Sequence, residues 1–113
     1  MARKRVQWLK SAFPDLQSIG MLFDPVVAYN VVREVEETRQ AANKLGMNFE
    51  AFETHVWEDV ETAFQKIVDH HLAAVIVAQG PMFFNQRRRI AQLAIDRKLP
   101  MMGTSDVFTD ADF

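Results

Sequence analysis

The 113-residue sequence contains no cysteine, which excludes disulfides, thiolate metal sites and cysteine-based catalysis. No apolar run is long enough to span a bilayer. The opening stretch MARKRVQWLKSAFPDL begins with basic residues, as a signal peptide does, but Lys10 and Asp15 interrupt what would be its apolar core. A soluble chain without an export signal is therefore expected. Positive charge is not in surplus either: a net charge of −2 supplies no global field towards nucleic acid or an anionic membrane. The phosphate cradles G-x-G-x-x-G and G-x-x-x-x-G-K-[ST] are missing, as is the nucleophile elbow G-x-S-x-G. No internal repeat, low-complexity tract or linker divides the chain. With 49% hydrophobic and 25% charged residues it has ordinary globular composition, and the length is that of one domain with its own core.

What is present alternates between helical and strand periodicity. Val6, Leu9 and Phe13 fall at helical spacing and stop at Pro14. SIGMLF (Ser18–Phe23) is a brief apolar run closed by Asp24-Pro25, hence a strand and a turn. Val31, Val35, Thr38, Ala42 and Leu45 share one helical face, with Gly46 placed as the C-terminal cap. NFEAFE (Asn48–Glu53) predicts a second strand, and Val60, Phe64, Ile67 and His71 predict a second crossover helix. AAVIVA (Ala73–Ala78) is the most apolar strand, suited to the centre of a sheet covered on both faces. Ile90, Leu93 and Ala94 mark a third crossover helix ending before Pro100, and PMMG (Pro100–Gly103) is the last strand. This order predicts an α/β three-layer sandwich with a four-stranded parallel sheet, right-handed crossovers and strand order 2-1-3-4.

In such a sheet ligands bind outside the carboxyl ends of the strands where the order reverses, here between the first and third strands. The flanking loops are DPVVAYN and QGPMFF. Asp24, Pro25 and Tyr29 from the first, and Gln79, Pro81, Met82, Phe83 and Phe84 from the second, are the candidate ligand-binding residues. Thr104 and Ser105, after the last strand, join them, with Asp106 as a further polar group. An aromatic-walled, apolar cleft with a few polar groups describes a small-molecule site. Three of them have a structural alternative. Phe83 lies on the stripe of Ile90 and suits either core or pocket, as does Phe84. Asp24 suits the cap of the following helix. Arg87, Arg88 and Arg89 spread over most of a helical turn and form no flat basic patch. A solvated helix face is the preferred reading over nucleic-acid contact, with Arg87 alone within reach of a ligand carboxylate.

Catalytic and metal chemistry find little support. A phosphoacceptor site of this architecture would use an aspartate at the end of the third strand, and Gln79 stands there. His70 and His71 are adjacent on a helix, point apart and make a poor metal pair; His55 stands alone and reads as structural. No cofactor and no metal are expected, and the protein is not expected to be an enzyme.

The segment GPMFFNQRRRIAQLAIDRKLPMMG resembles bacterial ABC-transporter substrate-binding proteins of the periplasmic binding protein-like class I fold. The matching positions are Pro81, Phe83, Phe84, Arg87, Ile90, Ala91, Leu93, Ala94, Leu99 and Pro100. LKSAFPDLQSIGMLFDP and REVEETRQAANKLG are similar to further parts of that family, so the resemblance covers nearly the whole chain in order. It implies one α/β lobe, residues 1–113, of a two-lobed protein that closes on a small molecule, amino acids among the ligand types. It also implies a membrane permease as partner and a periplasmic location. Family members are much longer and start with an export signal. The chain is thus either an excised lobe or a free-standing short product, cytoplasmic in the latter case. The loop after Pro25 also lacks the family's second Asn-Pro. A reading from a different class is a stand-alone flavodoxin-like regulatory or dimerisation module using the same crevice as a protein interface. Under both readings the exposed half-cleft favours a homodimer or larger homo-oligomer.

Overall fold

The apolar residues of the two middle strands alternate between two helical layers, and that alternation organises the fold. The computed structural model describes residues 2–26, 31–78 and 80–103. Its elements are α1 (Ala2–Ala12), β1 (Ser18–Phe23), α2 (Val31–Lys44), β2 (Asn48–Glu53) and α3 (Trp57–Asp69), then β3 (Val75–Val77), α4 (Pro81–Asn85), α5 (Arg87–Asp96) and β4 (Met101–Gly103). The four strands form one all-parallel sheet in the order β2-β1-β3-β4, as the periodicity predicts. β1 pairs with β2 from Ser18↔Asn48 to Phe23↔Glu53 and with β3 from Gly20↔Val75 to Leu22↔Val77.

Ile19 and Met21 of β1, with Ala74, Ile76 and Ala78, bury against α1 and α2. Leu22, Val75 and Val77 point the other way, into a core closed by Val60, Phe64 and Ile67 of α3, Phe83 of α4 and Ile90, Ala91 and Ala94 of α5. Helices covering both faces follow from strands that are apolar on both faces. Gly20 marks where α3 comes close: a Cβ there would stand 3.2 Å from Ile67, Leu72 and Phe52 side-chain atoms.

Several details depart from the sequence reading. Phe13 and Leu45 lie beyond the ends of α1 and α2 and are exposed, whereas Ala41 takes a buried place on α2. Gly46 adopts φ +74 and the Met47 N–H reaches back to Ala42 O at 2.9 Å, a glycine-terminated helix end as expected. His71 is not part of the α3 stripe. The helix stops at Asp69, and His71 turns the chain with φ 58, its side chain exposed. The β3 ladder is shorter than the apolar run AAVIVA, although the flanking Ala74 and Ala78 are buried.

The largest departure concerns PMFF. The expected loop is a short helix, α4, separated from α5 only by Gln86. Pro81 is preset for a first helical position, where its missing N–H costs nothing, and the Phe84 N–H donates to Gly80 O at 3.0 Å. α4 and α5 together form the crossover from β3 to β4.

Candidate functional site at the carboxyl ends of the strands

The strand order reverses between β1 and β3, and the loops leaving their carboxyl ends flank that point. After β1, the buried Asp24 turns the chain: its Oδ1 accepts the Val26 N–H at 3.0 Å. α2 does not begin until Val31, so Asp24 closes a local turn and is not the cap of that helix. Pro25 is half-buried beside it. After β2, the buried Thr54 ties the two loops together, its N–H and Oγ1 both donating to Phe23 O, at 2.8 and 3.2 Å.

His55 then brings three carboxylates into one network that the sequence reading missed. Its Nδ1 lies 3.0 Å from Asp24 Oδ1 and its Nε2 2.8 Å from Glu53 Oε2. Both ring nitrogens can donate at once only in the imidazolium form. The hydrogen bond to Glu53, reinforced by Asp24, accordingly raises the pKa of His55 above its ordinary 6.5 despite partial desolvation. The His55 N–H donates to Asp59 Oδ2 at 2.9 Å and the Val56 N–H follows at 3.3 Å. Val56 precedes α3 and has no oxygen with which to cap it, so Asp59, in the first turn, satisfies backbone donors in its place. Those backbone bonds, that from His55 first, lower the Asp59 pKa from 3.8.

After β3, the two phenylalanines part company. Phe83 is fully buried, so of its two readings the structure shows the core; Phe84 is 40% exposed on the rim. Met82 is half-buried against the same core and Pro81 is exposed. The Arg87 guanidinium lies over the Phe84 ring at 4.5 Å, and Arg89 lies over Trp57 at 3.8 Å. Arg88 is exposed, the solvated position expected for the run. Trp57 is a rim residue the sequence reading did not single out; its partner Arg89 comes from another helix, so no local pattern announces it. Tyr29, Gln79, Thr104, Ser105 and Asp106 lie outside the described residues.

Exposed apolar side chains gather on this rim. Val26 (80%), Val32 (56%), Val56 (52%) and Phe84 follow β1, open α2, precede α3 and sit on α4. An open concavity of about 640 Å³ lies at the opposite end, where Gln17, Asn43, Asn48 and the His70–Glu50 pair (2.8 Å) meet. Among the described residues no His, Asp and Glu group is arranged to hold a metal ion.

A four-stranded parallel sheet covered on both faces, with its loops at the carboxyl ends, defines an α/β lobe of the periplasmic binding protein-like kind. The chain belongs to the ABC transporter substrate binding protein family, which it matches over residues 1–111. Solved structures with the same fold include a conserved domain protein of Vibrio cholerae, with 20% identity and TM-score 0.83 over 96% of this chain and 36% of that one. An ABC domain from Streptococcus pneumoniae in complex with L-Trp matches at 18% identity and TM-score 0.84, over 97% and 38% of the two chains. A fatty acid ABC transporter substrate-binding protein of Thermomonospora curvata matches at 18% identity and TM-score 0.73, over 90% and 26%. The chain therefore spans little more than a third of the length of the first two. No curated protein matches it.

Two predictions follow from the rim. Phe83→Ala is expected to cost about 3–5 kcal/mol, as for a buried phenylalanine, and Phe84→Ala less than about 1 kcal/mol; equal losses in urea unfolding would remove the distinction between core and rim. His55, with its raised folded pKa, contributes stability that is complete below 6.5 and is lost as pH rises through the folded value. The stability difference between the protein and His55→Ala should shrink accordingly with rising pH, and an NMR titration should place the His55 midpoint above 6.5. A midpoint at or below that value would contradict the network.

Proposed function

We propose that this chain is one lobe of a solute-binding protein. It captures a small molecule, with an amino acid as the favoured class, at the carboxyl ends of its strands and passes it to the membrane permease of an ABC transporter. Capture involves no chemistry: the ligand is held between this rim and a second lobe, and closure buries it. Family membership over residues 1–111 supports the substrate-binding role. The observation that carries the site is the gathering of Val26, Val32, Val56 and Phe84, all exposed, on the rim. An apolar face with aromatic groups and few polar anchors suits a ligand sandwiched between lobes. That the pneumococcal relative holds L-Trp supports an aromatic amino acid as the first ligand to try. Location outside the cytoplasmic membrane is part of the same proposal, and among the described residues no helix is long and apolar enough to cross it.

The same rim makes self-association of the isolated lobe the expected form at high concentration, because an uncovered apolar face favours pairing. A thermal-shift screen against amino acids, nucleosides and small sugars, run beside sedimentation velocity over a range of concentrations, tests both parts. Aromatic amino acids should raise the melting temperature in a concentration-dependent way. A response to sugars or nucleosides alone would redirect the ligand class, and a monomer at every concentration would count against pairing through the rim.

A further inference from the structure

Arg87 occupies a place where a charged residue needs a reason. Ile90, Ala91 and Ala94 form the buried stripe of α5. Arg87 precedes them at i+3, i+4 and i+7 spacing, so it continues that stripe one turn towards the carboxyl ends of the strands. The side chain is half-buried and held in place: its guanidinium lies over Phe84 at 4.5 Å, and Nη1 donates to Phe84 O at 2.9 Å. Nε, by contrast, is buried and has no hydrogen-bond partner. The ion pairs among the described residues join Arg39 to Glu36, His55 to Asp24 and Glu53, and His70 to Glu50; none involves Arg87. No acidic residue lies in the first turn of α5 to offset the charge. A cation half out of water with an orphaned donor is unfavourable unless an acceptor arrives.

The geometry points to Arg87, clamped on Phe84, as the subsite for a carboxylate of the captured molecule, so that the ligand class is an anionic organic acid or the carboxylate end of an amino acid. The inference rests on the solute-binding reading of the rim and deepens it. With Nη1 engaged by Phe84 O, the unpartnered edge of the guanidinium is the one formed by Nε and Nη2, and because Nε is buried a carboxylate has to enter it from the Nη2 side. That edge offers two parallel N–H donors, the arrangement that a planar carboxylate matches in a bidentate pair. Stacking on Phe84 fixes the plane of the fork in advance, so little side-chain freedom is lost on binding. The Phe84 ring, exposed on its outer side, is left to meet the apolar body of the same ligand.

The test uses the full chain labelled with 15N-arginine and two probes that share one ring, indole-3-propionate and tryptamine. The Arg87 Nε–H resonance, assigned through Arg87→Lys, should move on titration with the carboxylate and stay in place with the amine. Arg87→Gln should weaken indole-3-propionate binding by at least about tenfold, the loss of one charge-assisted pair. Arg87→Lys, which keeps the charge but not the fork, should recover only part of it. Equal binding of the two probes, or an Arg87 resonance unmoved by the carboxylate in the wild-type protein, overturns the subsite, and the first of these readouts needs no variant at all. The solute-binding reading is judged separately. Uncharged ligands that stabilise the chain without touching Arg87 would keep that reading and sink this one. An Arg87 response to acetate with no stabilising ligand of any class would keep the anion subsite and sink the capture role.

Discussion

β1 and β3 have no polar face to offer water, and this requirement for double cover shapes everything around them. Ile19, Met21 and Ile76 must be shielded on one side while Leu22, Val75 and Val77 must be shielded on the other. Parallel strands cannot be joined by a tight turn, so each connection has to cross over the sheet, and the crossing helices provide that shield. α1 and α2 lie on one face and α3, α4 and α5 on the other. Because every crossover helix starts beyond the carboxyl end of the preceding strand, the helix-opening loops all meet on one rim. The rim is a consequence of burial, and the polar end of the sheet opposite it is the other half of the same consequence.

What the rim carries is of two kinds. Around Asp24, His55, Glu53 and Asp59 there is a closed electrostatic network in which each charge or backbone donor has a partner. It joins the loop after β1 to the loop after β2 and holds this part of the rim in one arrangement. Along α4 and the start of α5 the balance is different. Three arginines stand together, two laid on aromatic rings, with no carboxylate paired to them among the described residues. Exposed Phe84 and the orphaned Arg87 Nε therefore belong to a surface whose polar groups are not all satisfied among the described residues.

The sheet order, the two-sided burial and most of the helical stripes were legible from residue spacing, because hydrophobic periodicity is a local property and the covering rule is strict. So was the glycine end of α2. The ends of helices were less so. Phe13, Leu45 and His71 continue a periodic pattern on paper, yet the backbone has already turned at each, since helix termination depends on where the next element must go. The PMFF helix was hidden by its own composition: Gly-Pro reads as a turn, and only the hydrogen bonds from Phe84 and Gln86 back to Gly80 and Met82 show that the chain coils at once.

For the proposed site, the sequence by itself pointed to the carboxyl ends of β1 and β3, the crevice that strand order and connection handedness favour for a ligand. It also supplied the aromatic pair and the arginines beside it. Which phenylalanine faces the core and which faces outward was decided by tertiary structure, because α4 rotates Phe83 inward and Phe84 onto the rim within one turn. The pairing of His55 with Asp24 was decided there as well, as was that of Arg89 with Trp57. Those partners lie on separate loops or helices, and only the closing of the sheet under its helices brings them within reach of one another.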